Sequence, residues 1–195
     1  MKHPSNRILF EHWNERRGAR PAPERADIDP AAIRQVLGNT FVLAADGIGN
    51  PPFRLAGTRL CALFGCELKG ESFVELWHRP SRTAMRELIM VVMEEKIGVV
   101  ASSTAAAADP ALAPISLELL LLPLAHRGHG DARLLGAMAP MAAPYWLGVK
   151  PVGPLSLGMF RHIGPAVDQA PPTRLAAETS RLRHGLTVYD GGRSD

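Results

Sequence analysis

Cysteine is scarce in this 195-residue chain: the two present, Cys61 and Cys66, stand five positions apart. No second Cys/His pair at ligand spacing accompanies them, which excludes a disulfide framework and a structural zinc site. A buried Cys61 and a partly exposed Cys66 in a reducing cytoplasm is the expectation. Long apolar runs are lacking as well. The least charged stretch, Ile97 to Ala125, holds Asp109, Glu118 and three prolines, so no membrane contact is expected. Met1 to Glu15 is polar and charged, unlike a secretory leader. Concentrated charge is missing too. The net charge is +3, and even the densest basic part, Met1 to Arg25, sets three Glu against six Lys/Arg. A nucleic-acid binder carries a stronger stripe with aromatic residues in it, so nucleic acid is not an expected partner.

The usual marks of catalysis are absent. Gly128-His129-Gly130 lacks the lysine or helix of a phosphate loop, and there is no Gly-x-Ser-x-Gly elbow. His126 and His129 fall in a predicted loop without acidic residues at metal spacing. No catalytic residue, metal or cofactor is therefore assigned, and the chain is not expected to be an enzyme; a small enzyme of unknown reaction is the alternative, with no residue set to give it a mechanism.

What is present centres on Phe53 to Gly65. Phe53 and Leu55 alternate as half-buried strand residues do, and Thr58 is placed to cap a helix carrying Leu60, Leu63 and Phe64 on one face. Gly65 suits the left-handed stop of that helix. Upstream, Ser5 to Arg17 predicts a helix with Leu9 and Trp13 one turn apart, too narrow a stripe to persist undocked. Asp29-Pro30 predicts the start of an eight-residue helix with Ile33, Val36 and Leu37 on one face, closed by Gly38. Phe41 to Ala45 reads as a strand, paired across a turn at 46–52 with Phe53 to Ala56.

Downstream, Ser72 and Glu75 have capping-box spacing. A helix from near Pro80 then sets Met85, Leu88, Ile89, Val92 and Met93 in one stripe. The period changes to that of strands over Gly98 to Ala107, Ile115 to Ala125 and Leu134 to Met141, with a hairpin loop at 126–131. Helices segregated from strands in this way predict an α+β fold with an antiparallel sheet and helices packed on one face. Ile115, Leu117, Leu119 and Leu121 form one apolar face, but Leu120, Leu122 and Leu124 make the other face apolar as well. A sheet wetted on one side would alternate cleanly, so something must cover that face: the N-terminal helices, the C-terminal tail or a second copy. The tail is Pro/Gly-rich, with one more strand or arm at Leu155 to Ile163, a weak helix at 173–182 and a mobile end at 184–195.

Trp13, Arg25-Ala26-Asp27-Ile28-Asp29-Pro30, Phe53 to Leu60, and Phe64-Gly65 ahead of Leu68-Lys69-Gly70 occur in an order that resembles the stand-alone PAS-like proteins of alphaproteobacterial type. No precise activity is assigned to that group. The similarity runs from about Leu9 to Met141 and implies a five-stranded antiparallel sheet cupped by helices, a signalling role and frequent self-association. On this reading 1–26 is an N-terminal helix and connector, 27–142 the PAS-like domain and 143–195 an extension.

The expected function is a sensory or regulatory module working through protein contacts, as a dimer or with another protein, with a small apolar ligand as a further option. Walls for such a ligand would come from Phe41, Leu43, Phe53, Leu55, Leu60, Phe64, Trp77, Met85 and Leu117, which is also the expected core. Leu9, Trp13, Leu120, Leu122 and Leu124 are the expected interface. Arg25, Asp27 and Arg54 read as a clamp tying the N-terminal arm to the sheet. The resemblance also raises haem at His78 and flavin at Cys66. Against these, His78 precedes Arg79-Pro80 at an exposed junction, and Cys66 lacks the Asn, Arg and Gln of a flavin site.

Overall fold

A computed structural model describes residues 1–44, 50–107, 112–125, 133–164, 173–174, 182–183 and 186–187. Helix α1 (Pro4–Arg17) begins on a proline, whose missing N–H is no loss in a first turn. Strands β1 (Thr40–Ala44) and β2 (Phe53–Ala56) lead into α2 (Thr58–Phe64). A 3-10 turn at Phe73–Leu76 precedes α3 (Arg79–Glu95). Then come β3 (Gly98–Ala107), β4 (Ile115–Leu124), β5 (Arg133–Pro140) and β6 (Val152–Ile163). These strands form one antiparallel sheet in the order β2-β1-β5-β4-β3-β6, with β7 (Thr173–Arg174) beyond β6. The strands β8 (Leu182–Arg183) and β9 (Leu186–Thr187) pair with each other.

The expected α+β architecture is the one the chain adopts, and it extends further than expected. The five-stranded sheet gains β6, which pairs with β3 from Gly98↔Ile163 to Ala107↔Val152. Helices also cover both faces. On one side α2, α3 and the 3-10 turn bury a core of Phe41, Leu60, Phe73, Trp77, Met85 and Leu117 against the sheet. On the other, α1 crosses β4 and β5, and Leu9 and Trp13 pack with Leu120, Leu122 and Leu124. Those five residues, expected as an interface for a second molecule, are at most 1% exposed within one chain. The narrow stripe of α1 and the surplus leucines of β4 satisfy each other. Trp13 Nε1–H also donates to the Pro123 carbonyl at 2.8 Å. Segments 1–26 and 143–195 thus contribute α1 and β6 to the two cores.

Local chemistry departs from expectation in three places. Residues 30–36 are successive turns, followed by a 3-10 turn at Leu37–Asn39, where an eight-residue helix was expected. Asp29 still caps, accepting from the Ala31 N–H at 2.9 Å. Thereafter Val36 and Asn39 each bond three residues back, at 2.9 Å, which brings Ile33 and Val36 to one buried face. Second, Gly57 and not Thr58 is the N-cap of α2. Its N–H donates to the Thr40 carbonyl at 2.9 Å, and a Cβ there would overlap the carbonyl oxygens of Leu37 and Gly38. Third, Ser72 and Glu75 form no capping box. Glu75 pairs with Arg82 at 2.6 Å, and the Ser72 hydroxyl is buried. Gly65 closes α2 in the left-handed conformation as expected, φ 70°.

The turn at 46–49, the loop at 126–131, and most of the expected helix at 173–182 and tail at 184–195 fall outside the described residues.

Candidate functional site

Eight of the nine residues expected to wall a ligand site come together. Phe41, Leu43, Phe53, Leu60, Trp77, Met85 and Leu117 are buried in the helix-side core, and Phe64 packs against it half-buried. Phe73 joins them: its ring stacks on Phe41 at 5.3 Å between centroids and meets Phe53 and Trp77 edge-on at 5.6 and 5.9 Å. Two polar atoms in this core lack partners among the described residues, Trp77 Nε1 and Ser103 Oγ. Ser103 faces the core because it stands opposite Leu117 across the β3/β4 ladder.

Leu55 is the exception. Phe41 pairs with Ala56 and Val42 with Leu55, but Leu43 then pairs with Phe53, so Arg54 is the extra residue of a bulge. A bulge breaks the two-residue alternation. Leu55 therefore lies beside Val42 on the α1 side of the sheet, 44% exposed, and not with Phe53 in the core. There it helps wall an apolar groove of about 310 Å³ between the sheet and the arm of residues 25–38. Val42 and Leu135 form its floor; Ile28, Ile33 and Leu37 form the facing wall, and Arg25 stands at its rim.

The expected clamp is a surface feature. Asp27 pairs with Arg20 at 2.9 Å and accepts from the Glu24 N–H at 2.9 Å. Asp27 is a third exposed and Arg54 is exposed on β2, so any contact between them lies at the surface. Ile28, Ile33 and Val36 of the arm are all buried against the sheet side that carries Val42 and Leu135. His78 is exposed at the start of α3, with its backbone N–H on the Leu155 carbonyl at 2.8 Å. Cys66 is exposed, and partial burial pushes its thiol up, with Cys61, Glu71 and Glu67 adding to the effect. A thiol so shifted holds less of the reactive thiolate. Among the described residues no three His, Cys, Asp or Glu are grouped to hold a metal ion, and no helix is long and apolar enough to cross a membrane.

Sequence reasoning missed a polar clasp between the first residues of the chain and β4. Glu118 on β4 is buried, and its carboxylate accepts from the backbone N–H groups of Lys2 and His3 at 2.7 and 2.8 Å. Asn6 Nδ2 donates to the same carboxylate and to the Glu118 carbonyl, both at 3.1 Å. The available signal was a carboxylate between Leu117 and Leu119, since a buried charge requires partners. Beside this clasp His3, Asn39 and Arg59 face a second cavity of about 320 Å³.

In comparisons with known proteins, no curated protein and no solved structure matches the chain. A family model described as PAS domain matches residues 1–139. That span contains α1, the arm, β1 to β4 and nearly all of β5. The chain belongs to the PAS domain family.

Proposed function

We propose that this protein is a cytoplasmic regulatory module, not a catalyst, that acts through protein contact, in the first place with a second copy of itself. Family membership supports a sensory or regulatory role, since PAS domains are generally sensory. The unpaired thiols of Cys61 and Cys66 fit a reducing compartment.

The observation that carries the reading is the placement of Leu55. The bulge at Arg54 sets an apolar side chain, 44% exposed, on the wall of an apolar groove. A twofold interface presents the same patch from both partners, so it needs a projection and a recess side by side on one surface. Leu55 and the groove beneath Ile28 and Ile33 supply that pair. Light scattering on the wild type and on Leu55→Asp tests this. A concentration-dependent dimer that Leu55→Asp abolishes supports the reading, and a wild type that stays monomeric at high concentration refutes it.

A second reading, a small apolar ligand in the helix-side core, is favoured by one observation. Trp77 Nε1 and Ser103 Oγ are buried there without partners, and an orphaned buried donor costs about 1–3 kcal/mol. A ligand that offered a polar partner to either atom would remove that cost there. Native mass spectrometry of the purified chain tests it: a retained mass supports the reading, and a bare chain mass counts against it.

A further inference from the structure

We propose that the end of the sheet beside His3 and Arg59 binds a small monocarboxylate with an apolar body. The cavity there, about 320 Å³, lies where Asn39 leads into β1 and where β5 ends at Met138 and Pro140. It falls in the size range of small-molecule sites, which are apolar with a few converging polar groups.

The cation is Arg59. It is exposed on the first turn of α2, and among the described residues it forms no hydrogen bond or ion pair. Its aliphatic stem lies along Gly38, where a Cβ would stand 3.0 Å from Arg59 Cγ. The absence of a side chain at residue 38 therefore leaves the stem its path and helps direct the guanidinium at the cavity. An arginine fork matches a carboxylate with two parallel N–H donors.

The second donor is His3. Its Nδ1 accepts from the Ser5 N–H at 3.1 Å, so the neutral ring carries its proton on Nε2. Burial holds this imidazole below its ordinary value; Glu118 opposes that shift and Arg59 adds to it. The neighbouring Asn39 is fixed by donating from Nδ2 to Ser5 Oγ at 2.9 Å.

Among the described residues no acid lines the cavity. Glu118, the acid whose field reaches His3, already accepts from Lys2, His3 and Asn6. The remaining wall, including Leu63, Met138 and Leu147, is apolar. One cationic fork and one neutral N–H donor over such a wall select a single carboxylate on an apolar body. Neither a bare anion nor a neutral hydrocarbon uses both features. The two cavities share no lining residue, and the site does not rest on the Leu55 groove, although Gly38, along which the Arg59 stem runs, lines that groove.

The test is a titration of the full chain with sodium benzoate, read by NMR at the Leu63 and Met138 methyl groups. Benzamide, of the same shape without charge, and inorganic phosphate, charged without an apolar body, are the comparison probes. The expected result is a saturable benzoate shift at both methyls, weakened about tenfold or more by Arg59→Gln and for benzamide. Should Arg59→Gln disturb distant methyls, Arg59→Lys, which keeps charge and loses the fork, replaces it, with weaker benzoate binding again expected. Equal binding of benzamide, equal binding of phosphate, an unchanged affinity in the Arg59 variant, or no saturable shift would each overturn the proposal.

Discussion

Phe53 and Leu55 stand two positions apart on β2 yet face opposite sides of the sheet, because Arg54 is bulged out between them. One residue of slip sends the first side chain into the helix-side core and the second to the rim of a surface groove. The two positions should therefore respond to substitution in opposite ways.

Phe53→Ala removes a ring that is 2% exposed and touches both Phe41 and Phe73. A loss of about 3–5 kcal/mol is expected. Leu55→Asp changes a side chain already 44% exposed, and about 1 kcal/mol or less is expected. Urea unfolding of the two variants measures both, and similar losses would mean that the bulge is misplaced.

Trp13 gives the second prediction. It is fully buried between α1 and β4, with Nε1–H on the Pro123 carbonyl at 2.8 Å. Trp13→Phe leaves that carbonyl without its donor, for an expected loss of about 1–3 kcal/mol. Trp13→Ala adds a cavity and should cost about 3–5 kcal/mol. Because this residue packs within its own chain, neither variant should change the subunit count of the folded protein. Light scattering after the unfolding experiment checks that.

Gly57 yields the third. Its φ of −71° is ordinary, so the demand for glycine comes from space alone. Any Cβ would overlap the carbonyls of Leu37 and Gly38, which are backbone and cannot swing aside. Gly57→Ala should destabilise by about 1–3 kcal/mol and loosen the arm that walls the Leu55 groove. Thermal melting together with amide exchange at Leu37 to Asn39 measures both effects.

Acid sensitivity is the fourth. His12 Nε2 accepts from the Asp29 N–H at 3.2 Å, which requires an unprotonated nitrogen. Burial holds His12 below its ordinary 6.5, Arg16 adding and Glu15 and Asp29 opposing. Burial does the same to His162, with Glu95 opposing. Between the lowered folded value and 6.5 the unfolded chain binds more protons, so stability rises with pH in that window and is lost as pH falls through it. Urea midpoints at about pH 7.5 and about pH 5.5 should therefore drop on acidification, and drop less in His12→Gln. An equal drop in the variant would remove His12 from the account.

Much of this fold is legible in the residues because burial acts through period. The stripe from Met85 to Val92, the alternation of Ile115 to Leu121 and the surplus Leu120, Leu122 and Leu124 each fix an element and the need to cover both faces. The choice of cover is not legible: α1 docks because its stripe fits that surface, and only the packed structure reveals the fit. The segment after Pro30 defeats the helical reading because three-residue bonds bury Ile33 and Val36 as well as an α-turn would. The groove at Leu55 is hidden for another reason. Strand alternation assigns Leu55 to the core with Phe53, and nothing in Arg54 itself announces a bulge. The cavity at Arg59 joins residues from distant parts of the chain, a proximity that no local pattern encodes.

Sedimentation equilibrium of the wild type beside Leu55→Asp and Leu122→Asp tests the central claim most directly, namely that the contact surface is the Leu55 groove and not the α1-covered face. The account predicts a reversible wild-type dimer, a folded monomer for Leu55→Asp, and a loss of folding for Leu122→Asp, whose side chain is fully buried. A wild type that is monomeric throughout, or a Leu55→Asp variant that dimerises as tightly as the wild type, would contradict it.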